Sequence, residues 1–144
     1  MGASRTDDGR YFVDEEKVPH VKVMLVLIGG GIGAICRYGV NLLAVKLWGS
    51  GFPYGTLVVN LVGCTLIGIA FGLIDRSTWM SPSIRLFFIT GFLGALTTFS
   101  SFAIETINAA SAGSYRLAAM NILANNVMGL VLVVVGMRIS RLIS

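Results

Sequence analysis

Gly91-Phe-Leu-Gly-Ala-Leu-Thr-Thr-Phe-Ser-Ser-Phe102 lies inside a long apolar run, yet it carries two glycines and four hydroxyl side chains, Thr97, Thr98, Ser100 and Ser101. Hydrocarbon cannot satisfy an open backbone. Polar or irregular sequence at membrane depth therefore points to buried protein or a polar cavity. Two glycines followed by Thr-Thr predict a helix break, and a break frees carbonyls that can bind a cation. Phe99 and Phe102 are three apart, so on a helix they share a face.

The rest of the chain explains why this stretch is read at membrane depth. Of 144 residues, 55% are hydrophobic and only 12% charged, a composition that no water-facing domain carries. Four spans are predicted, Val23 to Leu47, Gly55 to Ile74, Ile84 to Asn108 and Leu117 to Ile139, each reaching the ~20 residues a bilayer requires. The expected fold is an all-α membrane protein of four transmembrane helices, the third broken at its centre. The connections, at Trp48–Pro53, Asp75–Pro82 and Ala112–Tyr115, are rich in Gly, Ser and Pro. Trp48, Tyr54, Trp79 and Tyr115 fall at span ends, where amphipathic rings favour the interface. The first span is too long, and too marked by Arg37, to read as a signal peptide. Residues 1–22 read as a polar tail, with a short surface helix expected over Tyr11 to Val18, and residues 23–144 as the membrane domain.

The net charge of +4 reads as topology rather than nucleic-acid binding. Four spans put the termini and the middle loop on one side. That side carries Arg5, Arg10, Lys17, Lys22, Arg76, Arg85, Arg138 and Arg141, against Lys46, Arg116 and Arg37 on the other. The positive-inside rule predicts cytoplasmic termini. Setting the distal tail aside weakens that bias. Cys36 and Cys64 lie inside spans and read as small packing residues.

Several polar residues sit within the spans. Gly29-Gly-Gly-Ile-Gly33-Ala34 formally fits a dinucleotide fingerprint, but no strand precedes it and no acid follows before Asp75. Close helix packing through Gly29 and Gly33, repeated by Gly68 and Gly72, is the better reading. Arg37 either snorkels, pairs with an acid, or lines an aqueous vestibule. Asn60, near the middle of the second span, either makes an interhelical hydrogen bond or offers its two amide hydrogens to an anion. Asn121, Asn125 and Gly129 are four apart and form one inward stripe on the fourth span. Glu105 stands alone as a deep acid and reads as a proton relay, a gate or a capped interfacial group. The sole histidine, His20, lies in the tail, and no nucleophile, base and orienter come together at one depth, so no enzyme is expected. Neutral amides and hydroxyls suit passing a small ion.

Three ordered motifs carry a resemblance: Gly-Ala-Ile-Cys-Arg-Tyr at 33–38, Gly-Thr-Leu-Val-Val-Asn-Leu-Val-Gly at 55–63, and the 91–102 stretch followed by Glu105. Over residues 23–141 the chain resembles the Fluc (CrcB) family of fluoride channels. That resemblance implies an antiparallel, dual-topology dimer in the cell (inner) membrane, with two pores that release toxic cytoplasmic fluoride by passive conduction. It implies a structural sodium ion held by the main-chain carbonyls of Gly94 and Thr97. It assigns Phe99, Phe102 and Asn60 to the pore, Ser100, Ser101 and Glu105 to a polar track beside it, and Arg37 to the vestibule. Asn125, also assigned to the pore, stands where a serine is usual, Asn121 where an aromatic or polar residue is common, and Ala95 where a second glycine is common. The charge bias leaves a paralogous partner subunit as the alternative to a homodimer.

Two rivals share the topology. A small-multidrug-resistance exporter needs a glutamate in its first span, and none is present there. A non-transporting scaffold subunit explains the polar residues but not the glycine-rich break and the phenylalanine pair together.

Overall fold

A computed structural model describes residues 3–5, 11–13, 20–74 and 81–143. Four segments in it are long and apolar enough to cross a membrane: His20–Trp48, Tyr54–Ile74, Pro82–Ser111 and Tyr115–Ile143. The first two are helices α1 (His20–Trp48) and α2 (Tyr54–Ile74). The third divides into α3 (82–96) and α4 (Phe99–Ser111). The fourth is α5 (Tyr115–Ile143). Each begins earlier than hydropathy alone places it, the second at Tyr54 rather than Gly55 and the first at His20 rather than Val23, and all but the second also end later. α1, for example, starts at His20, within the segment read as tail. Helical hydrogen bonding continues into the interfacial residues because leaving a turn early strands its backbone groups.

The tail departs from expectation. Ala3–Arg5 (β1) and Tyr11–Val13 (β2) form a two-stranded antiparallel ribbon in which Ser4 faces Phe12. Tyr11-Phe-Val has the β-branched and aromatic character that favours an extended strand over the expected surface helix. Residues 14–18 of that expectation lie outside the described residues, as do 75–80 with Arg76 and Trp79.

Local chemistry sets the element ends. Pro82 opens α3 behind Ser81, whose side chain accepts the N–H of Ile84 at 3.3 Å. α4 closes at Gly113, φ 78°: Gly113 N–H donates to Ala110 O and Ser114 N–H to Ala109 O, which uses up two terminal carbonyls. α3 is π-helical over Leu86–Leu93, and α5 is π-helical over Ala124–Met128, the turn that holds Asn125 and Asn126. Such wide turns often mark functional positions because they re-aim side chains.

α2 is the central helix, and glycine lets its neighbours reach it. A Cβ on Gly136 of α5 would fall on Thr65 O and come within 3.1 Å of Gly68 Cα. A Cβ on Gly68 would fall on the carbonyl of Val133, and one on Gly72 on the Ser140 hydroxyl. α1 meets α3 the same way: Gly29 and Gly33 lie against the backbone of Phe87 and Phe92, and Gly91 against Gly29. Lipid tails are as apolar as leucine, so close backbone contact, rather than escape from water, holds these helices together. Between the two glycine seams sits a small core of Val59, Leu93 and Leu96, flanked by Val40, Leu66, Ile67, Phe88 and Phe92.

Candidate functional site

Thr97 (φ −80°, ψ 154°) and Thr98 (φ −150°, ψ 115°) are both extended, so helical hydrogen bonding is rerouted around them. In a continuous helix the N–H of Thr98 would bond Gly94 O. Here it donates to Asn60 Oδ1 at 2.8 Å. Likewise the N–H of Ser101, the regular partner of Thr97 O, donates to Thr98 Oγ1 at 3.2 Å. The carbonyls of Gly94 and Thr97 thus both lose their helical donors. Gly94 itself is exposed, with nothing closer than 3.7 Å to a Cβ placed there.

Thr98 is held from three directions. Asn60 Nδ2 donates to Thr98 O at 3.2 Å while its Oδ1 accepts the N–H, so one α2 amide grips both backbone groups of one residue. The Thr98 hydroxyl caps α4 and donates to Ser101 Oγ at 3.1 Å, with Ser100 Oγ at 3.3 Å. Thr97 is anchored separately. Its hydroxyl donates to Leu93 O at 3.0 Å, and its methyl fills the notch left by Gly63.

Asn60 has no amide hydrogen to spare. The second goes to Asn125 Oδ1 at 2.9 Å, and Asn125 Nδ2 goes on to Asn121 Oδ1 at 2.9 Å. Asn121 is fully buried and donates to Thr106 Oγ1 at 2.9 Å, and Thr106 donates to Phe102 O at 2.7 Å. The inward stripe of α5 is therefore a hydrogen-bonded joint between α2, α4 and α5.

Beside this joint is a cavity of about 400 Å³. Its lining includes Asn60, Thr97, Thr98, Phe99, Phe102 and Asn125, with no charged side chain among the described residues. Phe99 and Phe102 pair at 5.4 Å between ring centroids with planes at 56°, yet they differ in setting: Phe102 is 7% exposed and Phe99 76%. A tilted pair presents hydrogen-bearing ring edges, which carry partial positive charge.

The remaining residues named from the sequence lie elsewhere. Glu105 lines a second cavity, of about 620 Å³, with Thr56, Asn41 and Asn108. Thr56 Oγ1 donates to Glu105 Oε1 at 2.7 Å, while Oε2 is buried with no hydrogen-bond partner among the described residues. Arg37 is half-buried and lines neither cavity. Ser100 and Ser101 line neither and act on Thr98 instead. Sequence reasoning left out Thr98, Thr56 and Thr106 as site residues. Two signals were available: Thr56, Asn60 and Gly63 recur at helical spacing on α2, and Thr98 stands three before Ser101 in the pattern of a helix cap.

Comparison with known proteins gives the family of the chain. Residues 24–137 match the family model described as CrcB-like protein, Camphor Resistance (CrcB). The fluoride-specific ion channel FluC of Azobacteroides pseudotrichonymphae is 45% identical over 115 residues, which is 80% of this chain and 92% of that relative. The protein of the same name from Dehalococcoides mccartyi is 44% identical over 115 residues, 80% of this chain and 88% of its own length. That of Maridesulfovibrio salexigens is 35% identical over 122 residues, 85% of this chain and 97% of its own. With the match spanning all four membrane-length segments, the chain belongs to the CrcB-like family of membrane proteins, to which relatives named fluoride-specific ion channels are similar over most of their length.

Proposed function

We propose that this protein is a fluoride channel, a passive conductor that lets fluoride leave the cytoplasm across the cell membrane. The observation that carries the reading is the uncharged cavity in which a tilted phenylalanine pair meets amide and hydroxyl groups. Fluoride is small and tightly hydrated, so stripping its shell requires close donors. A fixed positive charge among them would bind too tightly to release. Ring edges and neutral dipoles offer attraction weak enough for the ion to move on. Ser101 accepts from Thr98 and so helps to hold the residue that precedes Phe99. Glu105 and Thr56 continue a polar route on the far side of α4, and Arg37 serves as a vestibule cation.

The working unit is an antiparallel dimer with two pores. Support comes from Phe99, a large ring left 76% exposed, and from Gly94, also exposed and lining the same cavity. The Gly94 and Thr97 carbonyls, robbed of their helical donors, fit a monovalent cation such as sodium. Carbonyls alone, without carboxylates, lack the charge a divalent ion needs to shed its water. When bound, the ion would supply positive charge to otherwise costly carbonyls.

The deciding test is efflux from liposomes loaded with fluoride and chloride. Adding a potassium ionophore should release fluoride, read by electrode, while chloride is retained. Equal loss of both anions defeats the proposal. Cysteines introduced at Ser50 or Ser114 should be labelled from both sides of the membrane, and labelling from one side alone would point to a partner subunit. Replacing sodium with a large organic cation should lower both flux and dimer stability.

A further inference from the structure

The hydrogen bonds that run from Thr98 to Phe102 point in one direction, and both ends rest on backbone groups that cannot reverse. Thr98 N–H can only donate, so it forces Asn60 to present Oδ1. Asn60 Nδ2 then needs an acceptor and finds Asn125 Oδ1. Asn125 turns its nitrogen to Asn121, donating to its Oδ1 at 2.9 Å and to its backbone carbonyl at 3.1 Å, and Asn121 turns its nitrogen to Thr106 Oγ1. The Thr106 proton ends on Phe102 O, which can only accept. No member can flip alone without setting donor against donor or oxygen against oxygen.

We propose that Asn121 and Thr106, which line neither cavity, are positioning residues that act through Asn125 and Asn60 to hold Thr98 extended, and with it the start of the helix that carries Phe99 and Phe102. The inference deepens the fluoride-channel reading and rests on it. Asn60 touches the cavity with one hydrogen on Thr98 O and the other on Asn125 Oδ1, so Asn125 braces from behind the amide that grips Thr98. Asn121 is fully buried, and an amide there is tolerable only with its partners in place. The relay also explains the amide at 125. A hydroxyl is too short to span from Asn60 to Asn121 with separate donor and acceptor atoms, so Asn121 and Asn125 form a matched pair.

Thr106→Val tests this, because it keeps the side-chain shape and removes only the hydroxyl. Fluoride efflux should fall about three- to tenfold, the range that one lost hydrogen bond spans. Thr106→Ser, which keeps the hydroxyl, should restore it. In Asn125→Ala the added Thr106→Val change should cost little more, since the relay is already cut. Residues with no shared contact would instead give additive losses. Hydrogen exchange gives a readout independent of transport: the backbone N–H of Thr98 should exchange faster in Thr106→Val than in the parent or Thr106→Ser. Additive losses, or parent-like efflux and exchange in Thr106→Val, overturn the relay. Faster exchange with unaltered efflux overturns its role in the pore. A parent protein that shows coupled exchange but passes no fluoride overturns the channel reading while leaving the relay standing.

Discussion

α2 joins its neighbours in two ways along one helix. Toward its C-terminal end, Gly68 and Gly72 let the backbone of α5 press directly against it, with Gly136 answering from the other side. About two to three turns earlier, Asn60 reaches the same helix through Asn125 and reaches α4 through Thr98. The glycine seam is made of shape. It sets how near the helices lie and says nothing about polarity. The amide joint is made of direction. It fixes which atom faces which, and it tolerates the wide helical turn at Ala124–Met128 that aims Asn125 inward. A membrane protein can therefore gain its rigidity from one part of a helix and keep neutral, orientable dipoles beside a cavity on another.

Four substitutions separate the two devices, ordered by expected loss of stability. Gly136→Val should cost most. Its side chain would land on the backbone of Thr65 and Ile69, which cannot swing aside, so the penalty should exceed the about 1–3 kcal/mol usual for overpacking. Size-exclusion chromatography in detergent should show loss of the monodisperse species, and a parent-like elution profile would mean the seam is looser than drawn. Asn60→Leu comes next. It strands Thr98 N–H and Thr98 O together, at about 1–3 kcal/mol for each buried group left unpaired. A clear drop in thermal midpoint together with lost fluoride efflux is expected. A normal midpoint would show that the joint carries no structural weight.

Thr97→Ser should be milder, about 1 kcal/mol for the missing methyl in the Gly63 notch, because the hydroxyl bond to Leu93 O survives. Efflux should stay close to the parent rate. A large loss would mean that the Thr97 side chain, not its carbonyl, matters. Phe99→Ile is the smallest change to the fold of the chain, within about 0.5 kcal/mol, since the ring is largely exposed. Yet it should abolish or sharply reduce efflux. A folded variant that still conducts would remove the ring edges from the mechanism.

The glycine seam was largely legible in advance. Gly29, Gly33, Gly68 and Gly72 recur at helical spacing within apolar runs, and small residues four apart have one dominant use in a membrane. The polar joint was legible only in outline. Asn121 and Asn125 were readable as an inward stripe, but Asn60 stayed balanced between gluing helices and serving an anion. In the folded chain both its hydrogens are taken up internally. Threonines were undervalued because a hydroxyl bonds as readily to its own helix as across to another. Only the neighbour's position decides whether Thr56 meets Glu105 or Thr106 meets Asn121. In the tail, local β propensity at Tyr11–Val13 prevailed over the reading as a surface helix.

The sequence by itself determined that this chain has four membrane-length segments, which of their faces could approach closely, and where neutral polar groups would lie. Hydropathy and the absence of a β-carbon are properties of residues, and in hydrocarbon they leave little choice. Tertiary structure alone decided where donors meet acceptors: that Thr98 N–H leaves Gly94 for Asn60, that three amides line up head to tail, and that Glu105 faces a different cavity from the phenylalanine pair. Hydrogen bonds depend on ångströms and angles set by helices far apart in the chain, and no local pattern encodes those distances.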